Sequence, residues 1–533
     1  MQTMSYQDQQ TTKRKEITDD LLEWLRSYAK ERINSRLIDE RRCIPPYIVL
    51  DFGNRGLLGM QVLPKYGGIG LSNQDTLRLI QQLGAIDATL ASFVGVHNFL
   101  GIRPLMNYAS DNLKDELLPY IATGRELAAF ALTEPGAGSN PQAISAKAIP
   151  DSRGGWKLQG NKIWIGSAAW ASTINTFVQT FDSEGQYLGI SGFVVRQGSK
   201  GLRQGLEALT MGLRGMVQNA VHLDNVSVDS ANLLGELGAG MNVAQDAMMY
   251  GRLCITAVSL GGMKRCAQLM LCYAKRRNIS TGRLINNPVT LVKLTTITEH
   301  IMAVESLVTR IAVLLDGGSR IPIEAYAACK IIGSEFFWQA ADSLVQMLGG
   351  RGYIETNIAP QLLRDSRILR IYEGPTETLN MFIGSRVNVK NEELYQFICH
   401  GLEAPQIAEY LRIAVEQIKD RYTNSGFSFA DKNTASRWLY ACTGEITTLG
   451  IVLAAVEGAF GRSGSKRLHR TVTWAKLCFE QKLERILSGT PAELVMSDPK
   501  TINDVIGNYS HTIGEIEQTL SGESHSLDEM LYC

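Results

Sequence analysis

One carboxylate stands apart in this chain. Glu373 lies in Ile371-Tyr372-Glu373-Gly374-Pro375, between an apolar pair and a Gly-Pro turn. Pro375 has its φ preset for a first helical position, so Pro375-Thr376-Glu377-Thr378-Leu379 reads as a helix start. Proline also disfavours the α conformation at the preceding residue, here Gly374, which is free to turn sharply. Glu373 is therefore placed on a corner just ahead of a helix, where a general base can work. The same residues fit a plain loop carboxylate at a helix N-terminus, where the dipole favours negative charge. The dipole depresses such a carboxyl's pKa and burial raises it. The expectation is an ionised Glu373 until a bound ligand expels water.

Further segments carry recognisable spacing. Gln346-Met347-Leu348-Gly349-Gly350-Arg351-Gly352-Tyr353 and Arg364-Asp365-Ser366 precede the corner. Far upstream runs Ala131-Leu132-Thr133-Glu134-Pro135-Gly136-Ala137-Gly138-Ser139-Asn140. Between them lie Gly160-Asn161-Lys162-Ile163-Trp164-Ile165 and Met211-Gly212-Leu213-Arg214-Gly215. In residue type and order these segments resemble the signatures of the acyl-CoA dehydrogenase family, with the long-tailed form similar to its very-long-chain members. The resemblance implies α,β-dehydrogenation of an acyl thioester with FAD. Glu373 would take the α-proton while flavin N5 accepts the β-hydride, and the Glu373 N–H and a ribityl hydroxyl would polarise the thioester carbonyl.

The same resemblance assigns residues. Leu132, Thr133, Ser139, Trp164, Ile165, Gly166, Gln346 and Thr376 fall at the cofactor; Arg277, Gly349 and Gly350 fall at the FAD of a neighbouring subunit. Ser139, Arg252, Tyr372 and Gly374 fall at the substrate. Some relatives place the base immediately before an arginine on another helix. The matching residue here is Gly251, before Arg252, and glycine cannot be a base. Trp164-Ile165-Gly166-Ser167 departs from the common Trp-Ile-Thr-Asn, leaving Gly166 only its N–H to offer. Met249 replaces an acid that often helps hold CoA, which brings in acyl-carrier-protein thioesters as an alternative to acyl-CoA. The implied partners are an electron-transfer flavoprotein and further copies of the chain, as a homodimer or tetramer. An assembly or scaffold role is the alternative of a different kind.

Composition sets outer bounds. A chain of 533 residues accommodates three to four domains. Acidic and basic residues balance at 53 each, against a protein that works by neutralising nucleic-acid phosphates. The nine cysteines form no CxxC pair and no Cys/His cluster, so no metal site is expected and the thiols read as reduced. Met1 to Lys15 is polar and Gln-rich, and acids follow at Glu16, Asp19 and Asp20, unlike a signal or transit peptide. No uninterrupted run approaches the ~18 apolar residues of a membrane span. The expectation is a soluble, cytoplasmic protein.

The elements that must position Glu373 read as α+β. An N-terminal α-helical domain (1–125) shows Ile17, Leu21, Trp24 or Leu25 and Tyr28 on one face. Pro119 reads as a helix start or kink. A middle antiparallel β domain (126–235) carries short strands at Trp156-Leu158, Lys162-Ile165, Thr176-Thr180 and Gly192-Val195. A C-terminal domain resembling a four-helix bundle (236–390) includes a helix that stops at Gly349-Gly350. An additional helical domain (391–533) puts Leu468, Val472, Ala475, Phe479 and Ile486 on one face, with Lys466, Arg467, Arg470 and Lys476 nearby. That face is expected to pack on the main body or a dimer partner; contact with a membrane surface is the alternative. An acyl pocket is expected between segments 80–105 and 240–260, and His97 reads as a packed, hydrogen-bonded residue rather than a catalyst.

Overall fold

The computed structural model describes residues 6–514 apart from 153, 390–391, 425–431, 490–492, 494–495 and 497. Side-chain caps start several of the helices near the site. Ser72, Asp87 and Ser110 accept hydrogen bonds from the N–H groups of Asp75, Leu90 and Leu113, opening helices Asn73–Ile86, Ala88–Gly95 and Asp111–Ile121. Each such cap is worth ~1 kcal/mol. Pro119 neither starts nor divides its helix; it sits in the last turn of Asp111–Ile121, whose start is set by Ser110. The Tyr6–Arg32 helix buries Leu21, Leu25 and Tyr28 and half-buries Ile17 and Trp24, the face expected from its periodicity.

The middle of the chain forms one sheet: β1 (Ala128–Ala131), β2 (Lys147–Pro150), β3 (Trp156–Gly166), β4 (Thr173–Phe181), β5 (Tyr187–Arg196), β6 (Leu202–Glu207), β7 (Gln218–Val228) and β8 (Leu233–Leu234). Its order is β6-β7-β3-β2-β4-β5-β8, with β1 on β4. The sheet is mixed, not purely antiparallel: β4 pairs parallel with β1 and β2. Neither of those strands reaches β4 through a tight turn, so hairpin geometry does not dictate their direction. The stretches Trp156-Leu158 and Lys162-Ile165 belong to one strand. Gly160, at φ 140°, shifts the register against β7 without breaking the pairing.

The main helices that follow are Gly240–Arg276, Pro288–Asp316, Ile323–Leu348 and Thr376–Val387, with the shorter Ala359–Leu369 before the last. The third stops at Gly349, φ 60° and ψ −138°. Pro375 is the cap of the last rather than its first residue, because its ψ of 148° is still extended. The extension adds Pro405–Asn424, Lys432–Ser463 and Lys466–Ser488. Its Ile446, Val452 and Phe479 join the same core as Leu307 and Ile383, so it is packed on the main body and not hung from it. Glycines permit the closest crossing. A Cβ on Gly384 would stand 1.8 Å from the Tyr440 carbonyl oxygen, and one on Gly444 would stand 1.8 Å from that of Asn380. The helix that begins just after Glu373 is thus seated directly on the extension.

The stripe at Leu468, Ala475, Phe479 and Ile486 is buried, Val472 is half-buried, and Lys466, Arg467, Arg470 and Lys476 are exposed. Glu299 of the main body accepts a hydrogen bond from Thr471 at 2.6 Å and pairs with Arg470 at 3.3 Å. One described helix, Asn433–Ser463, is long and apolar enough to cross a membrane, with mean hydropathy 1.6; counting uninterrupted apolar runs passes it over. Its most apolar window is 72% buried in the protein, which makes it a core helix here.

Candidate active site

Glu373 follows the Ala359–Leu369 helix, whose place is fixed by two of the motifs clasping each other. Asp365 accepts the Leu213 N–H at 2.7 Å, and Arg364 binds Asp39 through both terminal nitrogens. A Cβ on Gly212 would come within 2.3 Å of the Arg364 carbonyl oxygen. The chain then turns sharply. Gly374 has φ 102°, but Glu373 itself is also left-handed at φ 58°. That conformation costs a non-glycine residue ~1–3 kcal/mol, so the surroundings must impose it.

Two buried cations hold the turn by its carbonyls. Arg252 Nε donates to the Glu373 oxygen at 3.2 Å, and Lys330 Nζ donates to the Gly374 oxygen at 2.5 Å. Arg252, which the family resemblance puts at the substrate, is therefore engaged with the backbone of the base. The Glu373 carboxylate takes part in neither bond. Its Oε2 is shielded from solvent and has no hydrogen-bond partner. Burial pushes the carboxyl up to about 7, against the opposing pull of Arg252 and Lys330. Burial thus outweighs the dipole before any ligand binds, and the carboxyl is partly rather than fully ionised near neutrality, less than the dipole alone was expected to give. The Glu373 N–H finds no acceptor among the described residues.

A narrow cavity opens beside this carboxylate. Ser92, Gly95, Val96 and Leu100 form one wall, Gly251, Cys254, Ile255 and Val258 another, with Tyr372 and Glu373 between. About 20 Å³ of it is wide enough for water. A Cβ at Gly251 would lie 3.2 Å from Glu373 Oε1, so glycine there makes room for the carboxylate. Burial drives the Cys254 thiol and the Tyr372 phenol upward, which leaves both protonated as wall groups. His97 lies behind the first wall in a π turn, Val96–Ile102. It bridges the Ile121 oxygen (3.1 Å) and the Ala128 N–H (3.3 Å), and burial lowers it to about 4, so it is a neutral structural residue. Pro104 cannot donate to Leu100, and Asn175 of β4 takes over that carbonyl (3.0 Å) together with Gly101's (2.8 Å).

The end of β3 comes close to one residue of the first wall. A Cβ on Gly166 would be 3.9 Å from Val96 of the wall. Trp164 is left-handed (φ 56°) and 62% exposed, Ile165 is buried, and Ser167 is left-handed with a buried hydroxyl that has no partner. The missing hydroxyl of Gly166 is thus followed by an orphaned one. The Leu132–Ala146 loop is anchored from beneath. Lys162, fully buried, donates to Glu134 (2.7 Å) and to the carbonyls of Leu132 (3.2 Å) and Phe177 (2.6 Å). Glu134 also accepts from the Ser145 N–H, the Ser145 hydroxyl and the Ala146 N–H. Leu132 is buried, Thr133 half-buried and Ser139 exposed on the loop.

A third group sits apart from the cavity. Arg277, Gln346, Gly349 and Gly350 are exposed at the ends of the Gly240–Arg276 and Ile323–Leu348 helices, which Tyr273 joins through the Leu348 oxygen (3.5 Å). A Cβ on Gly349 or Gly350 would meet nothing within 4 Å, so packing inside this chain does not require a glycine at Gly350. Thr376 donates to Glu335 at 2.6 Å, which Arg370 also binds. Sequence reasoning passed over Lys330, although a lone lysine in the apolar run Ala325–Gly333 was a signal. Glu134 and Lys162 lie in separate motifs, and nothing in their spacing pairs them. Among the described residues no group of His, Cys, Asp and Glu could hold a metal ion.

Comparison with known proteins agrees with this layout. The acyl-CoA dehydrogenase N-terminal, middle and C-terminal domain families match residues 15–125, 129–226 and 238–388. An acyl-CoA dehydrogenase of Bacillus subtilis is 31% identical over 362 residues, covering 67% of this chain and 94% of its own. The chain therefore belongs to the acyl-CoA dehydrogenase family. It is also 33% identical over 334 residues to the mitochondrial very long-chain specific acyl-CoA dehydrogenase of Rattus norvegicus, covering 62% of this chain and 51% of that one. It thus spans about half the length of that relative. The fold of an acyl-CoA dehydrogenase from Bacillus anthracis, solved complexed with FAD, matches with a TM-score of 0.73 at 21% identity. That match covers 93% of this chain and 90% of the other, so the shared fold takes in the extension.

Proposed function

We propose that this protein dehydrogenates a saturated acyl thioester across its α,β bond, with Glu373 as the base. The observation that carries the reading is the Glu373 corner itself. A carboxylate whose Oε2 is shielded from solvent and unpartnered faces a narrow, largely apolar cavity, beside a backbone N–H with no acceptor among the described residues. A thioester carbonyl accepting that N–H would bring its α-carbon to the carboxylate. Such a donor, aimed at a developing enolate oxygen, is typically worth ~3–4 kcal/mol. With its carboxyl at about 7, Glu373 is strong enough to take the proton and still substantially ionised near neutrality. Arg252 and Lys330 keep the corner from relaxing while the proton moves.

The residues fit FAD. Trp164 is exposed near the end of β3, the Ser167 hydroxyl lacks a partner, and Gly349 and Gly350 leave their backbone open to approach. When bound, the flavin supplies the acceptor for the β-hydride. Leu132, Thr133, Ser139, Ile165, Gly166 and Thr376 would line it within the subunit. Arg277 and Gln346, on the separate exposed end, support a cofactor contact from a second copy of the chain, hence at least a homodimer. Electrons would leave to an electron-transfer flavoprotein. Anaerobic titration of the flavin-loaded protein with saturated acyl-CoAs of graded length tests the reading. Bleaching of the flavin with one range of lengths is expected. Failure with every acyl-CoA but success with acyl-carrier-protein thioesters would move the carrier, and failure with both would defeat the dehydrogenase reading.

A further inference from the structure

Lys330 holds the corner through a single carbonyl, a task that does not by itself call for a buried charge. It is fully buried in the middle of the Ile323–Leu348 helix, among Ala327, Ala328, Cys329, Ile331 and Ile332. Among the described residues its ammonium makes one hydrogen bond, to the Gly374 oxygen. A buried ammonium with so little hydrogen bonding is costly, and a methionine would fill the same space more cheaply. An opposite charge nearby is the physical compensation, and the bond to the Gly374 oxygen sets the ammonium at the residue next to Glu373, the acid that most favours its charge.

We propose that Lys330 is a positioning residue for proton abstraction, holding Glu373 in its left-handed corner through the Gly374 carbonyl and supplying the counter-charge that lets the carboxylate ionise away from water. This rests on Glu373 being the base. Burial brings the Lys330 ammonium down to about 7 while Glu373 pulls it back up, the mirror image of the carboxyl's own rise. The other charged groups facing Lys330 are accounted for. Arg252 is committed to the Glu373 carbonyl, Glu335 is bound by Arg370 and Thr376, and Glu377 is exposed. The neighbouring Cys254 thiol stays neutral.

Three substitutions separate the tether from the charge. Lys330→Gln keeps a donor and loses the charge, Lys330→Met loses both, and Lys330→Arg keeps both. The measurement is the rate at which a saturated acyl-CoA bleaches the flavin, from about pH 5.5 to about 9, after flavin content and circular dichroism confirm the fold. Losing a neighbouring positive charge raises a carboxyl's pKa by ~1 unit or more. The acid limb should therefore move up by about one unit in Lys330→Gln and Lys330→Met, about a tenfold loss below the limb. The plateau should fall further in Lys330→Met, and Lys330→Arg should restore the limb. A limb that stays at the wild-type position in both neutral variants overturns the proposal; if Lys330→Met does not fold, Lys330→Gln decides. Glu373→Gln is run alongside. A dead Glu373→Gln with unmoved limbs refutes Lys330 alone, whereas an active Glu373→Gln refutes the base.

Discussion

Replacing Lys162 with methionine should unfasten the cofactor side of the site, and its cost can be worked from the contacts. The substitution leaves Glu134 buried at 3% exposure without its cation, and strips one donor each from the Leu132 and Phe177 carbonyls. Breaking a buried pair on one side typically costs ~3–5 kcal/mol. Glu134 keeps three donors, from Ser145 and Ala146, which holds the expected loss near the lower end, ~3 kcal/mol. The pH dependence has a definite sign. In the wild type Glu134 lies below the ordinary carboxylate value despite burial, because Lys162 and the Ser145 donors outweigh it. Its stabilising contribution is present above the unfolded value of 4.5 and is lost as pH falls through the folded one. Without Lys162 burial works unopposed by the ammonium, so the penalty should be large at neutral pH and shrink as Glu134 is protonated. Urea unfolding followed by circular dichroism, with flavin retention measured in parallel, reads both effects. Adding Glu134→Gln to Lys162→Met should recover part of the loss, since it removes the buried charge but sets an amide NH2 against the Ser145 or the Ala146 N–H. A cost below ~1 kcal/mol at neutral pH, or no recovery in the double variant, would refute the reasoning.

Other outcomes follow from the same contacts. A Cβ on Gly95 would fall 2.2 Å from Cys254 Sγ, so Gly95→Ala should lose ~1–3 kcal/mol by overpacking, and adding Cys254→Ala should restore melting temperature. Since Glu373 works as a carboxylate and sits at about 7, kcat/KM should rise with pH through about 7 and then level; a limb near the ordinary 4.5 would contradict the burial argument. The raised value also means that native stability falls as pH rises from 4.5 towards 7. Glu373→Gln removes that cost, so its gain in melting temperature should be larger near pH 8 than near pH 5, with ~3 kcal/mol as a ceiling that Lys330's lost counter-charge reduces.

The sequence was informative where local rules govern. The helix–strand–helix order, the apolar stripe from Leu468 to Ile486 and the stop at Gly349 all follow from periodicity and glycine placement. The Glu373 corner was legible from Gly374-Pro375. The left-handed Glu373 was not, because two cations from distant helices impose it. Glu134 and Lys162 sit in separate motifs, and only the folded loop shows them as a pair. The parallel pairing of β4 escaped for the same reason, since nothing local sets the direction of β1 or β2. Lys330 was readable and missed: a single lysine inside an apolar helical run has to answer to something.

The most direct test of the account is single-turnover reduction of flavin-loaded Glu373→Gln by a saturated acyl-CoA that bleaches the wild type. The amide keeps the shape of the corner and the Glu373 N–H position but cannot take a proton. With Glu373 as the base, flavin content should be full and reduction slowed by at least ~100-fold, the usual worth of a positioned base. Near-wild-type bleaching by Glu373→Gln would contradict that assignment.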